Sequence, residues 1–436
     1  MFPISQTSVG EKVALEIDLP EELLDFARMV NSGELSGRAD VKVRLTADLD
    51  MTGTKWVPIG FGGACFSGIF DGCGHTISGV TLRKEWPGNY GLFGHVTGAI
   101  QNVTVTGTIY NRSGEPHSAV GGIVGDLAGG VVRNCAADLV IDSNRRSLGF
   151  FAGGIVGLLE KGGLVQNCRS STRFENVLGN FLYLGGVVGA AEDAQVAHCV
   201  FDGAIHILGG PGYYIDAGGV VGNVQGHSTV ARCLNRGIVD AYDYDFDFSY
   251  IGGIVGHIDG DGVILESVNR GSVSGGCRAA GGIAGWISMD YNGKTPLTAV
   301  DCCLNLGDVI QSPNSPGGSC GGIVGEIYNK PLDASILVRN CVSLGNLILR
   351  DPSGRAHPIT AHADGAIFDN NIYDQRLSVQ GEGVPQEQVA QGCTARPSME
   401  LLAELPERDN RYIIGSDGAL TVKNLEMGAA ARKEEL

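Results

Sequence analysis

Carboxylates, aromatic rings and amides gather in the middle of this 436-residue chain. Asp216 follows Tyr213 and Tyr214, and Asp243, Asp245 and Asp247 alternate with Tyr242, Tyr244 and Phe246. Two carboxylates held across a glycosidic bond can supply the acid and the base, or the acid and the nucleophile, of hydrolysis. Tyrosines add flat faces that stack on sugar rings and hydroxyls that hydrogen-bond beside them. His257 and Glu326 join the four aspartates as candidates for proton transfer. Asp259-Gly260-Asp261-Gly262 offers turn oxygens to Ca2+, although a plain Asp-Gly turn accounts for the same residues. The run Asp243-x-Asp245-x-Asp247 begins like a calcium loop, but Phe248 and Ile254 stand where its glycine and glutamate belong. His357 and His362 would pair on a metal only from a helix, which Pro358 opposes. The chain has no Cys-x-x-Cys pair of a structural zinc site and no Gly-x-Ser-x-Gly elbow.

What must position these groups is a repeat. Gly-Gly-x-x-Gly recurs at Gly122-Ile123-Val124-Gly125, Gly154-Ile155-Val156-Gly157, Gly186-Val187-Val188-Gly189 and Gly219-Val220-Val221-Gly222. It continues at Gly253-Ile254-Val255-Gly256, Gly282-Ile283-Ala284-Gly285 and Gly322-Ile323-Val324-Gly325, with a founding copy at Gly91-Leu92-Phe93-Gly94. A second phrase follows each, as in Val132-Arg133-Asn134-Cys135 and Val165-Gln166-Asn167-Cys168, and then a short alternating run such as Gly237-Ile238-Val239. Three short β-branched strands per copy, with glycine at positive-φ bends, predict an all-β solenoid of about ten coils. Cys135, Cys168, Cys199, Cys233, Cys303 and Cys341 share one repeat position and are expected as a buried ladder of free thiols. Cys65 and Cys73 are the one pair spaced for a disulfide.

Strand alternation sets the outward files. The residue after each Gly-x-x-Gly gives His95, Asp126, Leu158, Ala190, Asn223, His257, Trp286 and Glu326. Two residues on come Thr97, Ala128, Glu160, Glu192, Gln225, Asp259, Ser288 and Tyr328. The expected ligand-binding set is Tyr213, Tyr214, Asn223, Gln225, Tyr242, Tyr244, Asp259, Trp286 and Tyr328. Trp286 is read as a large exposed aromatic, and the loops entering the Gly-Gly corners as a neighbouring edge rich in tyrosine and aspartate. An ordinary solvated sheet face, and an edge whose charges discourage aggregation, read the same residues without a ligand.

Gly-Gly-Ile-Val-Gly with its Asn-Cys partner resembles the GLUG repeat of bacterial surface and adhesin-like proteins. The likeness spans residues 90–350, and the leader from Val41 to Leu82 resembles the opening coils of such proteins. It implies a right-handed parallel β-helix at a cell surface, built on structural glycines and without a catalytic set of its own.

The ends read as caps. Leu23, Phe26, Ala27 and Val30 share one helical face, suited to covering the open end of the first coil. Residues 1–40 form the N-terminal cap, 41–90 the opening coils, 91–370 the repeats, 371–427 a C-terminal cap and 428–436 a disordered tail. In the C-terminal cap a short helix opens at Ser398, and Tyr412 to Val422 forms a hairpin.

Composition narrows the function. Glycine supplies 68 residues and charged residues only 18%, which excludes helical bundles and coiled coils. The net charge of −17, without a basic patch, argues against nucleic acid and anionic lipid. No apolar run is long enough for a membrane helix. Met1–Gly10 lacks the regions of a signal peptide, so the chain is read as a trimmed exported protein or as a cytoplasmic one. The expected function is a carbohydrate-binding or adhesive module of a bacterial surface protein, with a glycan as partner and no resident cofactor. The alternatives are a polysaccharide-active enzyme (glycoside hydrolase, lyase or fructosyl-transferase type) and a purely structural stalk.

Overall fold

A computed structural model describes residues 5–9, 12–84, 87–112, 118–143, 150–178, 181–208, 214–242, 248–290, 297–312, 317–330, 335–351, 353–376, 392–397, 411–414 and 420–423. Among the described residues the chain is an all-β parallel solenoid with one short helix. Each copy of the repeat pairs in register with the next: Val124 with Val156, Val156 with Val188, Val188 with Val221 and Val221 with Val255. The phrase ending in Asn-Cys builds a 13-stranded sheet, and the strands after the Gly-Gly corners build a 9-stranded one. Short strands such as Leu234–Asn235 and Ile238–Tyr242 form a third side.

A fourth side was not foreseen. The segments leading into the Gly-Gly corners were expected as loops, yet Phe181–Gly185, Tyr214–Gly218 and Phe248–Gly252 are strands of an 8-stranded parallel sheet. That sheet begins only at Ser118–Gly121, so the opening coils lack it. About eight turns therefore carry all four sides, fewer than the ten or so that the sequence implied.

Inward residues stack in files. Ile100, Val132, Val165, Val196, Val230, Ile264, Val300 and Val338 lie one above another with no exposed surface. Each such side chain contributes about 1.5–3 kcal/mol by leaving water. The cysteine ladder forms as expected: all six thiols are buried and free, and each donates to the carbonyl two residues back, at 3.1 Å in Cys135 and 3.2 Å in Cys168. Burial pushes the thiols of Cys168, Cys233 and Cys341 well above their ordinary range. Ser267 occupies the vacant rung between Cys233 and Cys303 and bonds its own Leu265 carbonyl at 2.9 Å.

Two corner types use different backbone solutions. Before each ladder cysteine the chain turns at a left-handed residue, with φ of 54° at Asn134, Asn167, His198 and Asn340, and 55° at Arg232. Asparagine tolerates that region better than most residues, which explains the Asn-Cys phrase. The Gly-Gly corners, by contrast, have no positive φ, which corrects the expectation that they would. Their glycines are required by close approach: a Cβ on Gly219, Gly253 or Gly282 would collide with the next coil's backbone and with Asn235, Asn269 or Asn305. Those asparagines form a buried amide file. Asn235 Nδ2 donates to Asn269 Oδ1 at 2.8 Å, and Asn269 Nδ2 to Asn305 Oδ1 at 2.9 Å. Each Oδ1 also accepts a backbone N–H, from Gly237, Gly271 and Gly307 respectively.

The first end is capped as expected, by helix Pro20–Asn31 with Leu23, Phe26, Ala27 and Val30 buried. Phe26 meets Phe66 edge-on at 5.7 Å and stacks near Phe70 at 6.4 Å. Glu22 accepts the Asp18 and Leu19 amides and holds the helix start. A hairpin strand, Ser5–Val9, lies antiparallel to Lys12–Ile17 ahead of the helix, an element the sequence did not disclose. At the other end Tyr412–Ile414 pairs antiparallel with Leu420–Val422, as the hairpin reading required. The helix expected at Ser398 and the tail lie outside the described residues.

A candidate site in the corner between two sheets

The Gly-Gly corner folds the 8-stranded sheet towards the 9-stranded one, so the outer faces of two strands from the same coil look at each other. Alternation places Tyr183, Asp216, Tyr250, Ala279 and Ser319 in one file of the first sheet. Asn223, His257, Trp286 and Glu326 run in register along the second. The sequence had assigned these four to an outer face, and their files are as expected. Their exposure is not: Asn223 is 1% exposed, His257 4%, Trp286 7% and Glu326 7%. The unforeseen fourth side covers them.

Trp286 is thus no solvent platform. Its ring lies 4.2 Å from that of Tyr250, and the Arg278 guanidinium stacks on it at 4.6 Å. Tyr250, Ala279 and Trp286, with Tyr214 and Tyr328 against them, make a small apolar cluster separate from the main core. Arg278 also reaches Glu326 Oε1 at 3.3 Å, and Ser319 bonds Glu326 Oε2 at 3.4 Å.

Asp216, expected on an exposed acidic edge, is wholly buried in the corner. Its Oδ2 accepts from Asn223 Nδ2 at 2.6 Å and lies 3.1 Å from His257 Nδ1. Burial drives its carboxyl above the ordinary range, while His257 and Asn223 hold it down in part. The Tyr214 hydroxyl stands 3.0 Å from the same ring nitrogen, and on the far side of the ring His257 Nε2 lies 2.7 Å from Ser288 Oγ. Burial, and then Asp216, push the phenols of Tyr214 and Tyr250 far above their ordinary value; Tyr183 rises to about 12 for the same two reasons. Asp216 Oδ1, Asn223 Oδ1 and Trp286 Nε1 are buried without a hydrogen-bond partner among the described residues.

Around this corner the first sheet keeps aromatic surface open. Phe181 is 49% exposed and Phe248 52%, with Tyr214 registered between them. Phe151 and Tyr183 stack at 5.1 Å with an interplanar angle of 10°. The strip therefore runs along the solenoid axis over four coils. Gln225 is half-buried and Asp259 exposed at the strand ends beside it. Asp261 is 3.0 Å from His227 Nδ1, and among the described residues no three metal-ligating groups converge. Asp243, Asp245, Asp247, Tyr213 and Tyr244 lie outside the described residues, as does the side chain of Tyr242. His357 Nδ1 accepts the Ile359 and Thr360 amides, and His362 Nδ1 meets Arg355, so the two face different partners.

Tyr250 and Arg278 were missed from sequence; Phe181, Tyr183 and Phe248 were read as part of the neighbouring loop edge, and Ser288 was placed in its outward file without a role. The signal for Tyr250 was its position: it precedes its Gly-Gly pair by the same interval as Tyr183 and Asp216 precede theirs.

A second polar cluster sits five coils earlier. His95 Nδ1 meets Asp126 Oδ2 at 2.8 Å, and Asn89 Nδ2 donates to the same oxygen at 3.1 Å. Asp126, through its hydrogen bond, and then Cys65 raise the His95 imidazole to about 10. Burial opposes ionisation of the Cys65 thiol, but hydrogen bonds from His95, Thr97 and Ser67 outweigh it and bring the thiol down to about 7. Thr97 Oγ1 is 3.4 Å from the sulfur and Ser67 Oγ 3.6 Å. Cys65 and Cys73, the one pair spaced for a disulfide, are both free. A cavity of about 610 Å³ opens nearby, lined by Trp56, Phe61, Arg83 and Tyr90.

Comparison with known proteins adds little beyond this geometry. No family model matches the chain. A protein named "Putative Gly-rich membrane protein" from Evansella cellulosilytica is 35% identical over 100 residues, 22% of this chain, and the match covers 11% of that relative's length. Among the described residues no helix is long and apolar enough to cross a membrane. A solved structure named "putative immunoglobulin A1 protease", from Bacteroides ovatus, aligns over 95% of this chain and 93% of its own, with a TM-score of 0.43 and 17% identity.

Proposed function

We propose that the chain is a carbohydrate-binding solenoid of the GLUG kind, displayed at a bacterial surface, whose ligand lies along the aromatic strip of the corner. The observation that carries this reading is the exposure of Phe181 and Phe248 on either side of Tyr214, all three in one file. Neighbouring strands of a sheet stand about 4.8 Å apart, close to the length of one pyranose ring. Successive rings of an extended glycan can therefore meet successive aromatic residues, with Gln225 and Asp259 at hand for hydroxyls. The net charge of −17 favours a neutral polymer over an acidic one.

Titration with a panel of neutral oligosaccharides, read by calorimetry, tests the reading. Binding that strengthens with chain length and falls at least tenfold in Phe181→Ala/Phe248→Ala supports it. Equal, chain-length-independent binding by both proteins, or none by the parent, rejects it.

A further inference from the structure

Three side chains from three coils meet in the corner in a linear order. Ser288 Oγ lies 2.7 Å from His257 Nε2, and His257 Nδ1 lies 3.1 Å from Asp216 Oδ2. Nucleophile, base and orienting acid are recognised by this geometry rather than by chain order or fold. We propose that Ser288, His257 and Asp216 form the catalytic centre of a serine esterase, acting on short O-acyl groups carried by the glycan in the aromatic strip. The choice of substrate rests on the binding reading above; the nucleophile does not.

The surroundings suit the roles. Asn223 donates to Asp216 Oδ2 at 2.6 Å, which fixes the carboxylate against the imidazole. With the Nδ1 proton directed to that oxygen, Nε2 is left to accept the Ser288 proton. Asp216 and His257 are shut away from water, whereas Ser288 is half-buried and reaches the outer surface. In its file Ser288 stands between Asp259, which is exposed, and Tyr328, which is half-buried. Tyr250 and Trp286 fill the depth of the corner at a ring separation of 4.2 Å. That leaves little depth for a long acyl chain and favours acetyl over fatty esters.

The chemistry needs no other reactant than water. As Ser288 Oγ bonds to the ester carbonyl carbon, its proton passes to His257 Nε2. The carbon–oxygen bond to the sugar then breaks, and the departing sugar oxygen takes that proton. Water attacks the acyl-serine, gives its proton to Nε2, and the acyl group leaves as a carboxylic acid while Ser288 regains its hydrogen. Asp216 is the positioning residue that stabilises the imidazolium formed in both halves.

The test uses p-nitrophenyl acetate turnover and a fluorophosphonate probe on the full chain, with the labelled peptide located by mass spectrometry. The expected result is an adduct on Ser288 and turnover that falls by about a thousandfold or more in Ser288→Ala. The melting temperature should stay as in the parent. Asp216→Asn should lower kcat and move the pH profile of kcat/KM; a smaller folded fraction would lower kcat but leave that profile in place. A folded parent that carries no adduct on Ser288, or that turns over p-nitrophenyl acetate no faster than Ser288→Ala, overturns the esterase. Turnover of the small ester in a protein that binds no glycan would retain the nucleophile and discard the sugar.

Discussion

His95 and His257 occupy the same repeat position five coils apart, and each sets its Nδ1 against an aspartate oxygen that also accepts an asparagine Nδ2, yet their surroundings differ. His95 retains a third of its side-chain exposure and finds Asp126 one coil further along its own file. His257 is enclosed and finds Asp216 on a different sheet. The 8-stranded sheet accounts for the contrast. It begins at Ser118–Gly121, after the coil of His95, so that histidine stands on a more open face with Tyr90 bridged beside it. By the coil of His257 the added strand brings Tyr214, Asp216 and Tyr250 over the ring. A repeat fixes where a side chain points, and the neighbouring strand decides whether it meets water, an ion or a phenol.

Emptying the covered corner should have the largest effect. Trp286→Ala leaves a void beside Tyr250 and removes the ring on which Arg278 stacks, and is expected to cost about 3–5 kcal/mol in urea unfolding. A loss below about 1 kcal/mol would mean that the corner is looser than its 4.2 Å ring contact implies.

The open cluster should respond through ionisation. Cys65 is expected to react with iodoacetamide with a midpoint near pH 7, while the ladder thiols react only on unfolding. In His95→Ala the midpoint should climb towards 9, the ordinary thiol value. An unchanged midpoint would show that the imidazole does not hold the thiolate. Asp126→Asn should bring the His95 imidazole down from about 10 towards 6.5, followed by NMR titration. Because folding raises this pKa, the stabilisation is complete below 6.5 and is lost as pH rises through 10. The stability difference between parent and variant should therefore shrink across that window.

The smallest effect belongs to a corner remote from both histidines. His198 turns the chain at φ 54°, where three other coils of the cysteine ladder use asparagine. His198→Asn should stabilise by up to about 1 kcal/mol, and a loss instead would point to contacts of the imidazole that matter more than its backbone.

Much of the scaffold was legible from sequence because repetition writes each constraint several times. The files of Cys135 to Cys341, the alternation after each Gly-x-x-Gly, and the capping face of Leu23, Phe26 and Val30 all follow from spacing. What stayed hidden comes from pairs that no single copy contains. Phe181–Gly185 and its equivalents vary from coil to coil, so their shared strand was read as loop. Asp216 and His257 belong to successive coils and different sheets, and neither periodicity reports their approach. The glycines were assigned to the wrong cause, because crowding by Asn235, Asn269 and Asn305 leaves no mark in local sequence. Cys65 lies near His95 only through coil stacking, which residue spacing alone did not reveal.

The amide file has a consequence for how such a chain can lengthen or shorten. Asn235 and Asn269 both donate in the same direction along the axis, each to the next asparagine, so the row is polar and directional. Excising one whole copy joins donor to acceptor again and leaves the row intact. Excising part of a copy would strand an amide in the dry interior, at about 1–3 kcal/mol for each unmatched group. Viable variants in coil number should thus differ by entire copies, with fractional indels confined to the surface segments between strands.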